Sequence, residues 1–268
     1  MNQDKIINMK IFTNADDYKS LANKTLDNII DLAEKLDIEI VSDVESCDVV
    51  LSIGGDGTFL KTARIANEKP ILGVNTGTLG YLTEINPDDI EKALNDLVNE
   101  NYHIENRMMI EGKIIKSTGD TISIPESLNE IAISKNTFGV LRFDAIINGK
   151  LINSYIADGI LVCSPTGSTA YNLSCGGPIV DPTAEILTLT PIAPHTVINR
   201  SIVLSKDSIV EIKITELRDD TASYVLYDGK AIEVFGGDLI RIKKSDKITR
   251  IIKLEDRSFI DTIRENIN

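Results

Sequence analysis

Gly54-Gly55-Asp56-Gly57-Thr58 sets one carboxylate in a glycine-rich turn, directly after the apolar run Val49, Val50, Leu51, Ser52 and Ile53. Glycines on both sides of Asp56 remove Cβ atoms that would hold backbone N–H groups away from a phosphate, and they allow positive φ wherever the turn needs it. Thr58 to Ala66 reads as a helix whose positive end points back at the loop, so the segment suits an anionic ligand. The amides of Gly55 and Gly57, with Lys61 and Arg64 on the helix, supply the local positive character. The order Gly-Gly-x-Gly is neither the dinucleotide fingerprint G-x-G-x-x-G nor a P-loop, since no Gly-Lys-Ser/Thr follows. An acid at its centre points to chemistry as well as cradling; a tight turn in which Asp bonds its own backbone is the competing reading. A second glycine-rich stretch, Gly73 to Leu82, follows Pro70, Ile71 and Leu72. Two strand-then-glycine segments in succession predict two loops at the carboxyl ends of neighbouring parallel strands, where open α/β sheets bind ligands.

Three further polar groups stand out. Asn129-Glu130 lies between Leu128 and Ile131, Ala132, Ile133. If both are on a strand they point to opposite faces, so at least one meets a pocket or a packed interior, unless the strand is an exposed edge. Asp158-Gly159 precedes Ile160, Leu161 and Val162, either as a turn or as an acid at the rim of a site. Ser164 to Pro178 is dense in hydroxyls and glycines and carries Tyr171 ahead of a short helix, which suits recognition of ribose, phosphate or a base. No G-x-S-x-G elbow is present, so a nucleophilic serine is not expected.

The elements that must position these groups change character along the chain. From Lys5 to about Asn99, short apolar runs alternate with amphipathic helices, the pattern of a parallel, doubly wound sheet. Ile6, Ile7, Met9, Ile11 and Phe12 predict the first strand, Leu21 to Leu36 a helix, and Ile38 to Val41 a second strand. Asn86-Pro87-Asp88-Asp89 starts another helix. From Tyr102 to Lys247 the chain reads as many short β runs, with hairpin signals at Asn148-Gly149 and Asp228-Gly229. The expected organisation is an α/β N-terminal domain with a parallel, Rossmann-like sheet over 1–100, an all-β, sandwich-like domain over 101–247, and a segment 248–268 that returns to the first domain.

Composition narrows the function classes. The 268 residues carry a formal charge of −13, against nucleic acid or an anionic membrane as partner. Screening over roughly 8 Å lets a local cationic site override that charge. No run is apolar enough to span a bilayer and Met1 to Lys10 lacks a signal-peptide core, so a cytoplasmic location is the expectation. Cys47, Cys163 and Cys175 show no C-x-x-C spacing, and His103 and His195 are far apart, so no protein metal site is expected.

On these residues the chain resembles the NAD kinase family. Gly54 to Thr58 is a motif shared with a wider superfamily that includes lipid kinases and phosphofructokinases. Asn129-Glu130 and Thr166-Gly167-Ser168-Thr169-Ala170-Tyr171-Asn172 are similar to the family's second and third signatures in order and spacing. The resemblance implies transfer of the ATP γ-phosphoryl group to the 2′-hydroxyl of the adenosine ribose of NAD, with Mg²⁺ or another divalent cation, by a homo-oligomer, dimer or tetramer. It implies Asp56 as the catalytic carboxylate, with metal contact as a competing role. Asn129 and Glu130 would bind NAD, and Asp158 would join Glu130 near the nicotinamide end. Thr166, Thr169, Ala170, Tyr171 and Ser174 would hold adenine and ribose. Tyr81 matches a position that often carries an aromatic residue against the dinucleotide, where Leu82 departs from the pattern. Ala193 and His195 match positions that reach a neighbouring subunit's NAD, His195 being equally readable as packed interior. Asp228 matches a stretch near the acceptor site that varies in the family, its place in a hairpin turn being the favoured explanation. The alternatives are a lipid kinase with the same glycine loop, a non-catalytic NADP sensor and an NADP phosphatase.

Overall fold

A computed structural model describes residues 9–16, 20–77, 80–136, 139–195, 199–216, 223–254 and 258–266. Ile6, Ile7, Thr78 and Leu79 lie outside the described residues. The chain divides into two compact units, 1–106 with 249–268, and 107–248.

The first unit contains β1 (Lys10–Ala15), α1 (Ser20–Lys35), β2 (Glu39–Val41), β3 (Val49–Gly54), α2 (Asp56–Ile65), β4 (Ile71–Asn75) and α3 (Ile90–Val98). β1 pairs in parallel with β2 and β3, and β3 in parallel with β4, giving the order β2-β1-β3-β4. β3 and β4 are buried along their whole length, which is why their sequences are continuous apolar runs without alternation. α1 buries Ala22, Thr25, Ile29, Leu32 and Ala33, whereas Leu21 and Ile30, which share its apolar pattern, are exposed. α3 buries Ile90, Ala93, Leu94 and Leu97 at helical spacing. Pro87 stands in a short 3₁₀ turn, Pro87–Asp89, just ahead of it.

The second unit is antiparallel. It holds β5 (His103–Ile115), β6 (Thr121–Ser127), β7 (Glu130–Lys135), β8 (Leu141–Ile147), β9 (Lys150–Ala157), β10 (Gly159–Cys163), α4 (Tyr171–Ser174), β11 (Ile186–Ile192), β12 (Ile202–Ser205), β13 (Val210–Glu216), β14 (Ser223–Tyr227), β15 (Lys230–Val234) and the first part of β16 (Leu239–Lys253). β5 and β16 run from one unit into the other, and α5 (Phe259–Asn266) belongs to the first. One sheet runs β12-β11-β10-β7-β14-β15, and β16, β13, β8 and β9 are neighbours in the other. Ile131, Ile133, Ile160, Val162 and Leu189 of the first share one core with Phe143, Ala145, Ile212, Ile240 and Ile242 of the second, the arrangement of a sandwich. Both predicted hairpins close with two residues in the left-handed region, Asn148 and Gly149 at φ 50° and 76°, and Asp228 and Gly229 at φ 37° and 78°.

The two glycine loops leave the carboxyl ends of the adjacent parallel strands β3 and β4, as their spacing predicted. Their glycines serve clearance, not positive φ: Gly55 sits at φ −106°, and Gly54, Gly57, Gly73 and Gly80 are absent from the left-handed region. A Cβ on Gly73 would fall 2.9 Å from both Leu82 O and Thr83 Cα, where the second loop returns along β4, whereas one on Gly57 meets nothing within 4 Å. Gly73→Ala is therefore expected to cost roughly 1–3 kcal/mol through overpacking. Gly57→Ala, in the first turn of α2, should leave stability level or raise it by up to about 1 kcal/mol. Denaturant unfolding of the two proteins checks both.

Candidate functional site

Asp56 is the first residue of α2, with Gly55 as its cap. Its carboxylate reaches the second glycine loop: Tyr81 N donates to Oδ2 at 2.9 Å and Leu82 N to Oδ1 at 3.1 Å. A Cβ on Gly80 would lie 2.3 Å from Oδ1, so the glycine is what lets the loop close on the acid. Burial and the neighbouring Asp56 charge push the Tyr81 hydroxyl above its usual value. Lys61 is exposed further along α2. The base of the loop is rigid: Thr62 Oγ1 lies 2.9 Å from both Ser52 Oγ and Thr58 O and accepts from Asn14 Nδ2 at 2.8 Å. Thr76 N donates to Gly54 O, and Asn75 Oδ1 accepts from Gly77 N. Glu84 is paired with Lys253 on the returning strand. The Oγ1 atoms of Thr76 and Thr83 are buried without a hydrogen-bond partner.

In the second unit the predicted residues fall on β7, β10 and the segment after it. Asn129 is not on a strand; it occupies the bend before β7, which begins at Glu130, so the pair does not alternate across a sheet as expected. The bend is held from both sides. Asp228 accepts from Leu128 N at 2.9 Å and Asn129 N at 3.2 Å. Ser164 N donates to Asn129 O at 2.9 Å, and a Cβ on Gly167 would lie 2.2 Å from that oxygen. Glu130 faces Cys163 across the β7–β10 ladder, and its Oε2 is buried with no partner. Burial first, and the Asp228 charge second, push its carboxyl up to about 7. Burial and the Glu130 charge likewise push Cys163 up to about 12, a buried and unreactive thiol.

Asp158 is placed away from Glu130. It precedes Gly159, which pairs with Ser134, while Glu130 pairs with Cys163 at the other end of β10. The offset of five residues is roughly 16–17 Å of strand, and Asp158 forms an ion pair with Lys135 at 2.5 Å. Tyr171 is the side chain that feels both acids: burial, Cys175, Glu130 and Asp158 all raise its hydroxyl.

After β10, residues Thr166–Thr169 form a 3₁₀ turn and Tyr171–Ser174 the short α4, with Ala170 between them. Buried side chains fix this segment. Asn172 Nδ2 donates to Ser168 O and Pro178 O, and its Oδ1 accepts from Thr190. Ser168 bonds both N and O of Val180. The guanidinium of Arg107, 6% exposed, donates to Thr166 Oγ1 at 3.3 Å. Thr169 Oγ1 bonds back to Thr166 O. Tyr171 and Ser174 are left exposed, Thr169 and Ala170 half-buried. Ala193, at φ 43°, and His195 are exposed beyond β11; His195 is not packed interior, although its N–H bonds Ile156 O.

Arg107 and the Asp228 clamp on the Leu128–Asn129 bend are not legible in the sequence. Neither carries a local motif: Arg107 lies within a strand and Asp228 reads as a turn, and their partners are 59 and about 100 residues away in sequence.

The ATP-NAD kinase N-terminal domain model matches residues 10–102, and the ATP-NAD kinase C-terminal domain model residues 128–254. The chain is 40% identical over 224 residues to an NAD kinase of Caldanaerobacter subterraneus subsp. tengcongensis, covering 82% of this chain and 78% of the relative. It is 38% identical over 246 residues to an NAD kinase of Lachnospira eligens, covering 86% and 83%. Among solved structures it superposes on an NAD kinase from Archaeoglobus fulgidus in complex with ATP, with a TM-score of 0.77, 27% identity and coverage of 96% of this chain and 98% of that one. It shares the fold of a yeast NADH kinase complexed with NADH, with a TM-score of 0.86, 22% identity and coverage of 97% and 87%.

The Glu130 carboxyl gives a pH prediction. Its value rises from 4.5 in the unfolded chain to about 7, so its contribution is complete below about 4.5 and lost as pH rises through about 7. Between about pH 5 and pH 8 the unmodified protein should lose up to about 2–3 kcal/mol relative to Glu130→Gln, measured by denaturant midpoints at both pH values.

Proposed function

The chain belongs to the NAD kinase family and is a kinase, and we propose that it phosphorylates NAD with ATP as donor, moving the γ-phosphoryl group to the 2′-hydroxyl of the adenosine ribose to give NADP. The observation that carries this reading is the Asp56 carboxylate, fixed at the start of α2 by the amides of Tyr81 and Leu82. A carboxylate held in this way can direct one lone pair at a ribose hydroxyl without reorganising. The ribose oxygen forms a bond to the γ-phosphorus while the bond from that phosphorus to the β,γ-bridging oxygen breaks. ADP leaves with that electron pair, and the hydroxyl proton passes to Asp56. A loose transition state needs little nucleophilic push, so a weakly basic carboxylate suffices and positioning dominates.

We assign the triphosphate to the first unit. The amides that open α2 at Asp56 and Gly57 lie outside its i→i−4 ladder and can neutralise phosphate charge, with Gly55 allowing close approach. Lys61 is assigned to the same ligand region, and Tyr81, beside Asp56, to the dinucleotide. NAD is assigned to the second unit, to Asn129, Glu130, Asp158, Thr166, Thr169, Ala170, Tyr171 and Ser174. The exposed Ala193 and His195 suit contact with NAD bound to another copy in a homodimer or homotetramer. Among the described residues no group of three or more His, Cys, Asp and Glu side chains could hold a metal ion. Because both Asp56 oxygens already accept amides, we assign the divalent cation, Mg²⁺ or another, to the triphosphate. Such an ion supplies further neutralisation of phosphate charge.

One observation favours a second reading. The bonds from Tyr81 and Leu82 would also serve a purely structural clamp, in a chain that binds the dinucleotide without turning it over. Turnover separates the two. Purified protein with ATP, Mg²⁺ and NAD should form NADP, detected with an NADP-specific dehydrogenase. Asp56→Asn should keep NAD binding and lose roughly 10²–10⁴ in kcat, the range for a positioned acid or base. Because the amide offers one acceptor for two N–H groups, its melting temperature should fall as well. Full turnover by folded Asp56→Asn would sink the catalytic assignment, and no NADP from the unmodified chain with NAD still bound would establish the sensor.

A further inference from the structure

Two hairpin turns of the second unit, β8–β9 and β14–β15, differ in one way that their backbones do not require. Asn148-Gly149 and Asp228-Gly229 both place two residues in the left-handed region, and either Asn or Asp suits the first position. Asn148 accepts one bond with its single oxygen, from Ile209 N at 2.9 Å. Asp228 uses both oxygens on two consecutive amides of a distant segment, Leu128 N and Asn129 N. An amide at 228 could satisfy one of these and would turn its NH₂ group toward the other. The acid is thus explained by the bend it grips.

We propose that Asp228 is a positioning residue of the dinucleotide site: its carboxylate fixes the Leu128–Asn129 backbone and so sets the direction of the Asn129 and Glu130 side chains. The inference rests on the assignment of NAD to this unit. On the far side of the same bend, Ser164 holds Asn129 O and Gly167 leaves room for it, so the segment is clamped between the β14–β15 turn and the start of the 3₁₀ turn. Asp228 follows Tyr227, which pairs with Ile131, and therefore lies beside Glu130. The titratable groups around Glu130 are Asp228 from the β14–β15 turn, Cys163 on β10, and Tyr171 and Cys175 on and after α4, with Asp158 acting on Tyr171. Among them Asp228 acts together with burial to keep Glu130 protonated to higher pH, so that its unpartnered Oε2 can donate to an acceptor on the ligand.

Asp228→Asn keeps a turn-forming residue and removes one acceptor and the charge. Carbon-13 NMR of the Glu130 carboxyl in the full chain should show a midpoint near 7 in the unmodified protein and a lower one in D228N. Calorimetric titration should show NAD binding weakened about tenfold in D228N, with KM raised and kcat little changed. A role in stability alone would lower the melting temperature and move neither midpoint nor KM. An unshifted Glu130 midpoint overturns the proposal, as does NAD binding that Glu130→Gln weakens and D228N does not. Failure of the unmodified chain to bind NAD would remove the site assignment and the proposal with it. Should D228N not fold, D228S, whose hydroxyl keeps one acceptor, carries the same titrations.

Discussion

The first unit is organised around one carboxylate that must face two loops. Asp56 enters at the head of α2 because β3 ends in glycines, and it accepts the Tyr81 and Leu82 amides because β4, next to β3 and parallel to it, delivers its own loop to the same edge. Gly80 is what the closure requires, since any side chain there would occupy the place of the Asp56 oxygen. Two charge-assisted bonds on one acid orient it more firmly than a solvated carboxylate could be, at the cost of committing part of its lone-pair capacity. The structural bonds thus fall on the same atoms to which the proposal gives the chemistry.

The second unit handles its acid differently. Glu130 is held by its backbone neighbours: Asp228 and Ser164 fix the bend before it, and burial leaves Oε2 without a partner. Asp56 is oriented by two amides on its oxygens, Glu130 by one backbone bond at Tyr171 and by the clamped peptide from which it grows. Burial and the Asp228 charge hold the second protonated up to about pH 7. Around Glu130 the turn Thr166–Thr169 and α4 are built on buried Ser168 and Asn172, so that the exposed Tyr171 and Ser174 stand on a fixed base.

Much of this was legible in the residues. The continuous apolar runs of β3 and β4 and the glycines after them predicted two loops on one edge of a parallel sheet, and the Asn-Gly and Asp-Gly pairs predicted hairpins that form at those positions. What could not be read was long-range bonding. No local pattern says that Asp228 reaches Leu128 and Asn129, or that Arg107 reaches Thr166, because such pairings are set by sheet register. Of the two uses that glycine has in such loops, clearance and positive φ, Gly54, Gly73 and Gly80 show the first and not the second. Asn129-Glu130 reads as a strand dipeptide, but Asn129 lies in the bend that Asp228 grips and the strand begins at Glu130.

The proposed chemistry requires Asp56 to act from the position the second loop gives it. Gly80→Ala leaves Asp56 in the chain and its own φ in an ordinary region, but puts a Cβ where the carboxylate now sits. The measurement is steady-state NADP formation by that protein beside a calorimetric NAD titration. A misplacement of this size predicts a loss of about 10²-fold in kcat with NAD affinity retained. Unimpaired turnover would contradict the account, because it would mean that the orientation of the Asp56 carboxylate is incidental to the chemistry.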